Sequence, residues 1–397
     1  MRTDLPQDSH AARRDALNRG LERAWRAGLF SKPDLGRLRS KADGIATGAE
    51  DRQWRGALDR LIDSLEHEAV LTPLGLTFAH VQLSRLLTQR ERARSTWRAN
   101  PQIASIPIAR PIIVLGHMRS GTTRLQRLLG CDEALNHTRF FEITEPFPPT
   151  PDTRVLTSWA QLRLLDALNP AIRTVHPTSP RSVEEVFGLL SFSFYGAQFE
   201  AQWRVPGFSR WWEAQDRSWV YAEMKHLLQT IAWQRGASDA PFVLKAPQFM
   251  EDLDALLSVF PDARLVCLSR EPDAVVASTA SLVRHQMEVQ SDVVDHGWIG
   301  AEWLRKTARR EALCAQVRAS RPEVPQIDID FGAMNADWRR EMRRVYSFLG
   351  HSLTPLVEQR MARYLHEAEA SGFRGHRYHA KDFGLDARAI GAALAAG

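Results

Sequence analysis

The sequence predicts an α/β fold, a parallel sheet flanked by helices and preceded by a helical N-terminal region. Three observations carry this. Short continuous apolar runs read as strands buried on both faces, Pro111-Ile112-Ile113-Val114-Leu115 being the clearest. Each run leads through a polar turn into a segment with apolar residues at helical spacing, the rhythm of strand and crossover helix. The first hundred residues show helical spacing and no strand pattern.

In the N-terminal region, Asp15 to Phe30 and Trp54 to Leu65 carry apolar residues among Arg and Glu at helical intervals. A third helix is expected from Gly75 through Leu83, Leu86 and Leu87 to near Trp97. The polar, Gly-bearing stretch from Ser31 to Glu50 reads as loop. The character changes at Pro107, so the chain divides into a helical region over 1–106 and a sheet domain over 107–397. After the first strand, Phe242-Val243-Leu244 precedes a helix from Gln248 to Val259, and Arg264 to Leu268 precedes one from Asp273 to Val283. Ile327-Asp328-Ile329 precedes a helix from Asp337 to Leu349. Residues 150–235 read as an irregular insertion rich in aromatics: Phe187, Phe192, Phe194, Tyr195, Phe199, Trp203, Phe208, Trp211, Trp212 and Trp219.

The 397 residues contain 52 Lys+Arg against 47 Asp+Glu, a net charge of +5. This mild excess suits one anionic ligand, and the absence of basic runs argues against a nucleic-acid partner. Cys131, Cys267 and Cys314 are scattered and lack CxxC spacing. That argues against zinc and fits a reducing compartment. The N-terminus is charged throughout, with no apolar leader, and no run approaches the ~18 apolar residues of a spanning helix. A cytoplasmic protein without a membrane span is expected, and the Ala- and Arg-rich composition points to a bacterial source.

The segment Gly116-His117-Met118-Arg119-Ser120-Gly121-Thr122-Thr123 follows the first strand and opens a helix. Glycines let backbone N–H groups curl around an anion, and the helix N-terminus adds partial positive charge. Thr122 and Thr123 can donate hydroxyl hydrogen bonds, and Arg119 can grip an oxyanion with its planar fork. The spacing approaches the GxxxxGK[ST] loop of nucleotide triphosphatases, but Thr122 stands where that loop has lysine. Lys245 ends a strand and is followed by Ala246-Pro247, which puts its cation at the carboxyl edge of the sheet. Arg270 leaves the next strand, and Ser278 follows eight residues on, in the next helix.

In this order the motifs resemble those of sulfotransferases that use PAPS (3′-phosphoadenosine 5′-phosphosulfate). They are most similar to a bacterial branch related to tyrosylprotein sulfotransferases. The resemblance implies a P-loop-like fold and a loop around the 5′-phosphosulfate, with Arg119, Ser120, Gly121, Thr122 and Thr123 as donor-binding residues. It implies Lys245 against the transferring sulfuryl group, and Arg270 and Ser278 around the 3′-phosphate. Arg377 and Tyr378, in a basic C-terminal segment, are implied as contacts closing over the nucleotide. Met118 replaces the usual proline, and Glu271-Pro272 replaces Asp-Pro.

Transfer to an alcohol needs a base within reach of its proton. Glu142, between aromatics in Phe140-Phe141-Glu142, is the first choice, and burial there can raise a carboxyl toward a useful basicity. His176 is the rival, because cytosolic sulfotransferases use a histidine, and Glu184 and Glu185 lie nearby in sequence. The expected function is sulfuryl transfer from PAPS to a hydroxyl, with an amine as second choice. The acceptor would be a small apolar or ring-bearing molecule enclosed by the aromatic insertion. No metal is expected: the sequence has no HExxH, paired DxD or Cys/His cluster. The alternatives are a catalytically silent nucleotide-binding module and a P-loop kinase.

Overall fold

Four consecutive apolar residues, Ile112–Leu115, form strand β1 of the computed structural model, which describes residues 7–170, 177–370 and 379–395. All four are buried, as a strand with neighbours on both edges and helices on both faces requires. Strands β2 (Asn136–His137), β3 (Phe242–Lys245), β4 (Arg264–Ser269) and β5 (Gln326–Asp330) complete the sheet, in the order β2-β3-β1-β4-β5. Every pairing is parallel. β1 lies between β3 and β4, so connections from all three carboxyl ends converge beside it. That is where open α/β sheets place their ligands.

The crossover helices follow the expected order, with shifted ends. The helix after β4 runs over Pro272–Gln290 and the one beyond β5 over Trp338–Leu349. After β3 a short turn, Pro247–Met250, comes before the helix Leu253–Val259, because Pro247 supplies no N–H to continue a ladder. β2 went unread in the sequence. It has two polar residues, and Asn136 N–H is held by the Pro241 carbonyl at 2.9 Å.

In the N-terminal region, helices span Gln7–Arg26, Arg52–His67 and Pro73–Ala99. Thr72 caps the last of these, its hydroxyl accepting from Gly75 N–H at 2.9 Å, with Pro73 in the first turn. The stretch expected as loop between Ser31 and Glu50 contains another helix, Gly36–Ile45, which buries Leu38 and Ala42. Two apolar contacts in ten residues are too few for a periodic signal. Leu58 and Leu87 of this region belong to the same apolar cluster as Ile113, Leu115 and Leu244 of the sheet. None of the described helices is long and apolar enough to cross a membrane.

The aromatic insertion is not irregular. It folds into helices Arg154–Leu168, Phe187–Phe192, Ala197–Gln202, Pro206–Glu213 and Ser218–Gln234. Its rings are core: Phe192, Phe194, Phe199, Trp203, Phe208 and Trp212 are buried and largely stack on one another. Beside them a charged group is sealed in. Arg217 pairs with Asp252 at 2.5 Å, and Tyr195 and Tyr221 donate to the other Asp252 oxygen at 2.5 and 2.8 Å. A buried carboxylate survives only when its oxygens are occupied in this way.

Removing the cation from this group should cost far more than a surface substitution. Arg217→Met is expected to lower unfolding stability by about 3–5 kcal/mol, because Asp252 stays buried without its partner. Urea denaturation of the purified variant measures this, and a loss below about 1 kcal/mol would contradict it.

Candidate active site

β1 ends at Leu115, and the glycine loop joins it to the helix Thr122–Leu129. Gly121 has φ +93°, and a Cβ there would lie 2.6 Å from the Phe331 ring, so only glycine fits. Arg119 also takes a positive φ, +67°. Two contacts hold it: its Nε donates to Ser278 Oγ at 3.1 Å, and Arg270 Nη1 donates to the Arg119 carbonyl at 2.7 Å. A non-glycine residue stays in this conformation only where its surroundings fix it. Arg119, Arg270 and Ser278 are therefore one linked group, and Ser278 faces Arg119.

The other loop hydroxyls divide inward and outward. Ser120 is 1% exposed, and its Oγ donates to the His117 carbonyl at 2.8 Å, so it stiffens the loop from within. Thr122 is buried against Gly116. Thr123 faces outward and donates from Oγ1 to Glu185 Oε1 at 2.9 Å. The same carboxylate oxygen pairs with Lys245 Nζ. Lys245 is the last residue of β3 and is buried. Burial pulls its ammonium below the ordinary lysine value, and Glu185 opposes that shift.

Two cavities meet at this point. A cleft of about 370 Å³ is bordered by Arg119, Thr123, Arg124, Arg127, Arg270 and Phe331. Its four arginines make it a site for an anion with more than one charged group. Phe331 lies under the Arg270 guanidinium at 4.4 Å from its ring centre. The second cavity, about 280 Å³, is bordered by Arg119, Thr123, Glu185, Lys245 and mixed apolar and polar side chains. Arg119 and Thr123 border both. Of the ten insertion aromatics named above, only Phe187 reaches the second cavity. The aromatic enclosure expected from sequence is thus mostly core.

Arg119, Gly121, Thr123, Lys245 and Arg270 come together as the motif order implies. Glu142 does not. Arg235 Nε donates to its Oε1 at 2.9 Å, Arg235 Nη2 pairs with its Oε2, and Arg139 N–H donates to Oε2 at 2.8 Å. Both oxygens are engaged in capping a short helix, Phe140–Thr144, and Glu142 borders neither cavity. Glu142, expected as the base, is thus held by Arg235 and Arg139 and lines neither cavity. His176, Arg377 and Tyr378 lie outside the described residues. Sequence reading missed Arg124, Arg127 and Phe331. Arg124 and Arg127 are three apart on the loop helix and share a face, a signal that was legible. Phe331 had no signal, since it follows β5, far along the chain. Among the described residues, no cluster of His, Cys, Asp or Glu could hold a metal ion.

The sulfotransferase family matches residues 111–355, which hold every strand and the loop. Among solved structures, sulfotransferase STF1 from Mycobacterium tuberculosis H37Rv is 27% identical. It has a TM-score of 0.74, over 92% of this chain and all of that one. Sulfotransferase STF9 from Mycobacterium avium, 23% identical, shares the fold at a TM-score of 0.77, over 90% of this chain and 94% of that one. A search of curated proteins finds no match. With its glycine loop, edge lysine and arginine-lined cleft in the matched segment, the chain belongs to the sulfotransferase family and is a transferase.

Proposed function

We propose that the protein transfers the sulfuryl group of PAPS to a hydroxyl of an acceptor held in the second cavity. The observation that carries this is the placement of Lys245 and Glu185 on the second cavity's wall, bonded to Thr123, which borders both cavities. The cleft fits a nucleotide with phosphates at two ends: the loop and Arg119 serve one, and Arg270 with Arg124 serves the other. The buried Thr122 in place of a loop lysine speaks against a terminal triphosphate, and so against a kinase.

Bound PAPS supplies an activated sulfuryl group, and the chain does the rest. Arg119 and the N–H groups at the start of the loop helix orient the phosphosulfate end. Lys245 turns from Glu185 to the oxygen between phosphorus and sulfur and neutralises it as that S–O bond breaks. The acceptor oxygen forms the new S–O bond from the opposite side. Glu185 takes its proton, in the role first expected of Glu142. Glu185 suits this because its Oε1 already meets Lys245 and Thr123, while its Oε2 makes no hydrogen bond among the described residues. Adenosine 3′,5′-bisphosphate and a sulfate ester are the products.

Calorimetry should show adenosine 3′,5′-bisphosphate binding about 10- to 100-fold tighter than AMP, the worth of one charge-assisted phosphate contact. Arg270→Ala should remove most of that difference. Equal binding of the two nucleotides would overturn the donor assignment. Glu185→Gln should lower kcat about 10²–10⁴-fold and leave adenosine 3′,5′-bisphosphate binding intact. Glu142→Gln should leave kcat of the folded fraction near wild type while lowering the melting temperature. The reverse pattern would restore Glu142 as the base.

A further inference from the structure

Charged side chains sealed in this protein have a consistent habit. Arg90 makes a two-pronged pair with Glu223 at 2.9 and 3.1 Å, Arg310 meets Glu251 at 2.7 Å, and Arg217 and Arg235 meet Asp252 and Glu142. A guanidinium withdrawn from water needs such a counter-charge. Arg85 and Arg124, each partly buried, break the habit. Arg124 Nη1 donates to the amide oxygen of Asn335 at 2.6 Å, and Arg85 Nη1 donates to the amide oxygen of Gln161 at 3.1 Å. Neither has a carboxylate within ion-pair distance among the described residues, and the Nε of each is buried without a hydrogen-bond partner. A neutral amide orients a guanidinium and leaves its charge uncompensated. Arg124 borders the basic cleft, where an anion is the expected occupant.

Arg85 borders the other cavity, the one shared with Lys245 and Glu185. It projects from the helix Pro73–Ala99, one turn beyond Gln82, whose Nε2 is also buried without a partner and borders the same space. Arg85 and Gln82 thus present donors from one helix face. Arg85 also borders a neighbouring groove that contains Glu145 but no residue of the glycine loop or of β3. It therefore sits where the cavity adjoins that groove, which Lys245 does not border. The walls also include Phe140, Ile143, Leu165, Phe187 and Leu282. Burial pulls the Arg85 guanidinium below its ordinary value, and the Glu145 charge only partly opposes this.

We propose that Arg85, held by Gln161 and assisted by Gln82, binds a carboxylate-type anionic group on the acceptor, at the end opposite the hydroxyl that is sulfated. The acceptor class is then a hydroxy acid with an apolar body. This rests on the reading of the second cavity as the acceptor site. A ligand anion supplies the contact counter-charge that no described residue gives Arg85, and an uncharged isostere does not. That asymmetry makes a polar pocket discriminate strongly.

The test uses the full chain saturated with adenosine 3′,5′-bisphosphate. The probes are two matched pairs, 3-(4-hydroxyphenyl)propionate with its primary amide and 10-hydroxydecanoate with its primary amide. Calorimetry should show at least one acid binding about tenfold or more tighter than its amide. Arg85→Gln should erase the preference, Arg85→Lys should retain part of it, and neither should change nucleotide affinity. If Arg85→Gln does not fold, Gln161→Glu keeps the arginine and pairs it internally, and should suppress the preference in the same way. No acid preference in either pair, or a preference that survives these changes, overturns the proposal. The donor reading fails separately, through weak nucleotide binding, and the acid–amide comparison can be run without nucleotide.

Discussion

The buried pair of Lys245 and Glu185 is the constraint around which the site is organised. Parallel strands β1 and β3 bring the lysine to the sheet edge beside the glycine loop, and Thr123 fastens the carboxylate from the loop side. An ammonium sealed from water needs a partner, so the pair rests together on the wall of the second cavity, beside Thr123, which borders both cavities. The sheet thus fixes the boundary between them. On one side lie arginines for a nucleotide, on the other a pocket with an apolar middle and polar ends.

The loop works by a related economy of parts. Its hydroxyls are mostly committed to its own shape, Ser120 to the His117 carbonyl and Thr122 to the core. Charge comes instead from arginines gathered from separate elements: Arg119 from the loop, Arg124 and Arg127 from the helix it opens, and Arg270 from the end of β4. Arg270 also holds the Arg119 backbone, so one residue both shapes the loop and lines the cleft.

The sheet and the positions of the glycine loop, Lys245 and Arg270 at its edge were legible in sequence because they depend on local rules. A buried strand needs an apolar run, a tight anion loop needs glycine, and a strand-end cation needs only its position. Lys245, Arg119 and Arg270 were readable for that reason. The base was not. Glu142 and Glu185 both stand in apolar surroundings in the chain, and the difference between them is a distant arginine: Arg235 reaches Glu142, whereas Lys245 reaches Glu185. The aromatic insertion misled for a similar cause. Clustered rings serve a core as readily as a pocket, and here they stack on one another. The two-residue strand β2 and the helix Gly36–Ile45 were lost because tertiary contacts, rather than periodicity, sustain them.

The helix Pro73–Ala99 lies ahead of the segment that matches the family, yet it forms one wall of the second cavity. The wall of that cavity is therefore shared between the matched segment, which supplies Phe140, Phe187 and Lys245, and a helix outside it. A substitution in this N-terminal rod can thus reshape the second cavity without touching the glycine loop, Lys245 or Arg270.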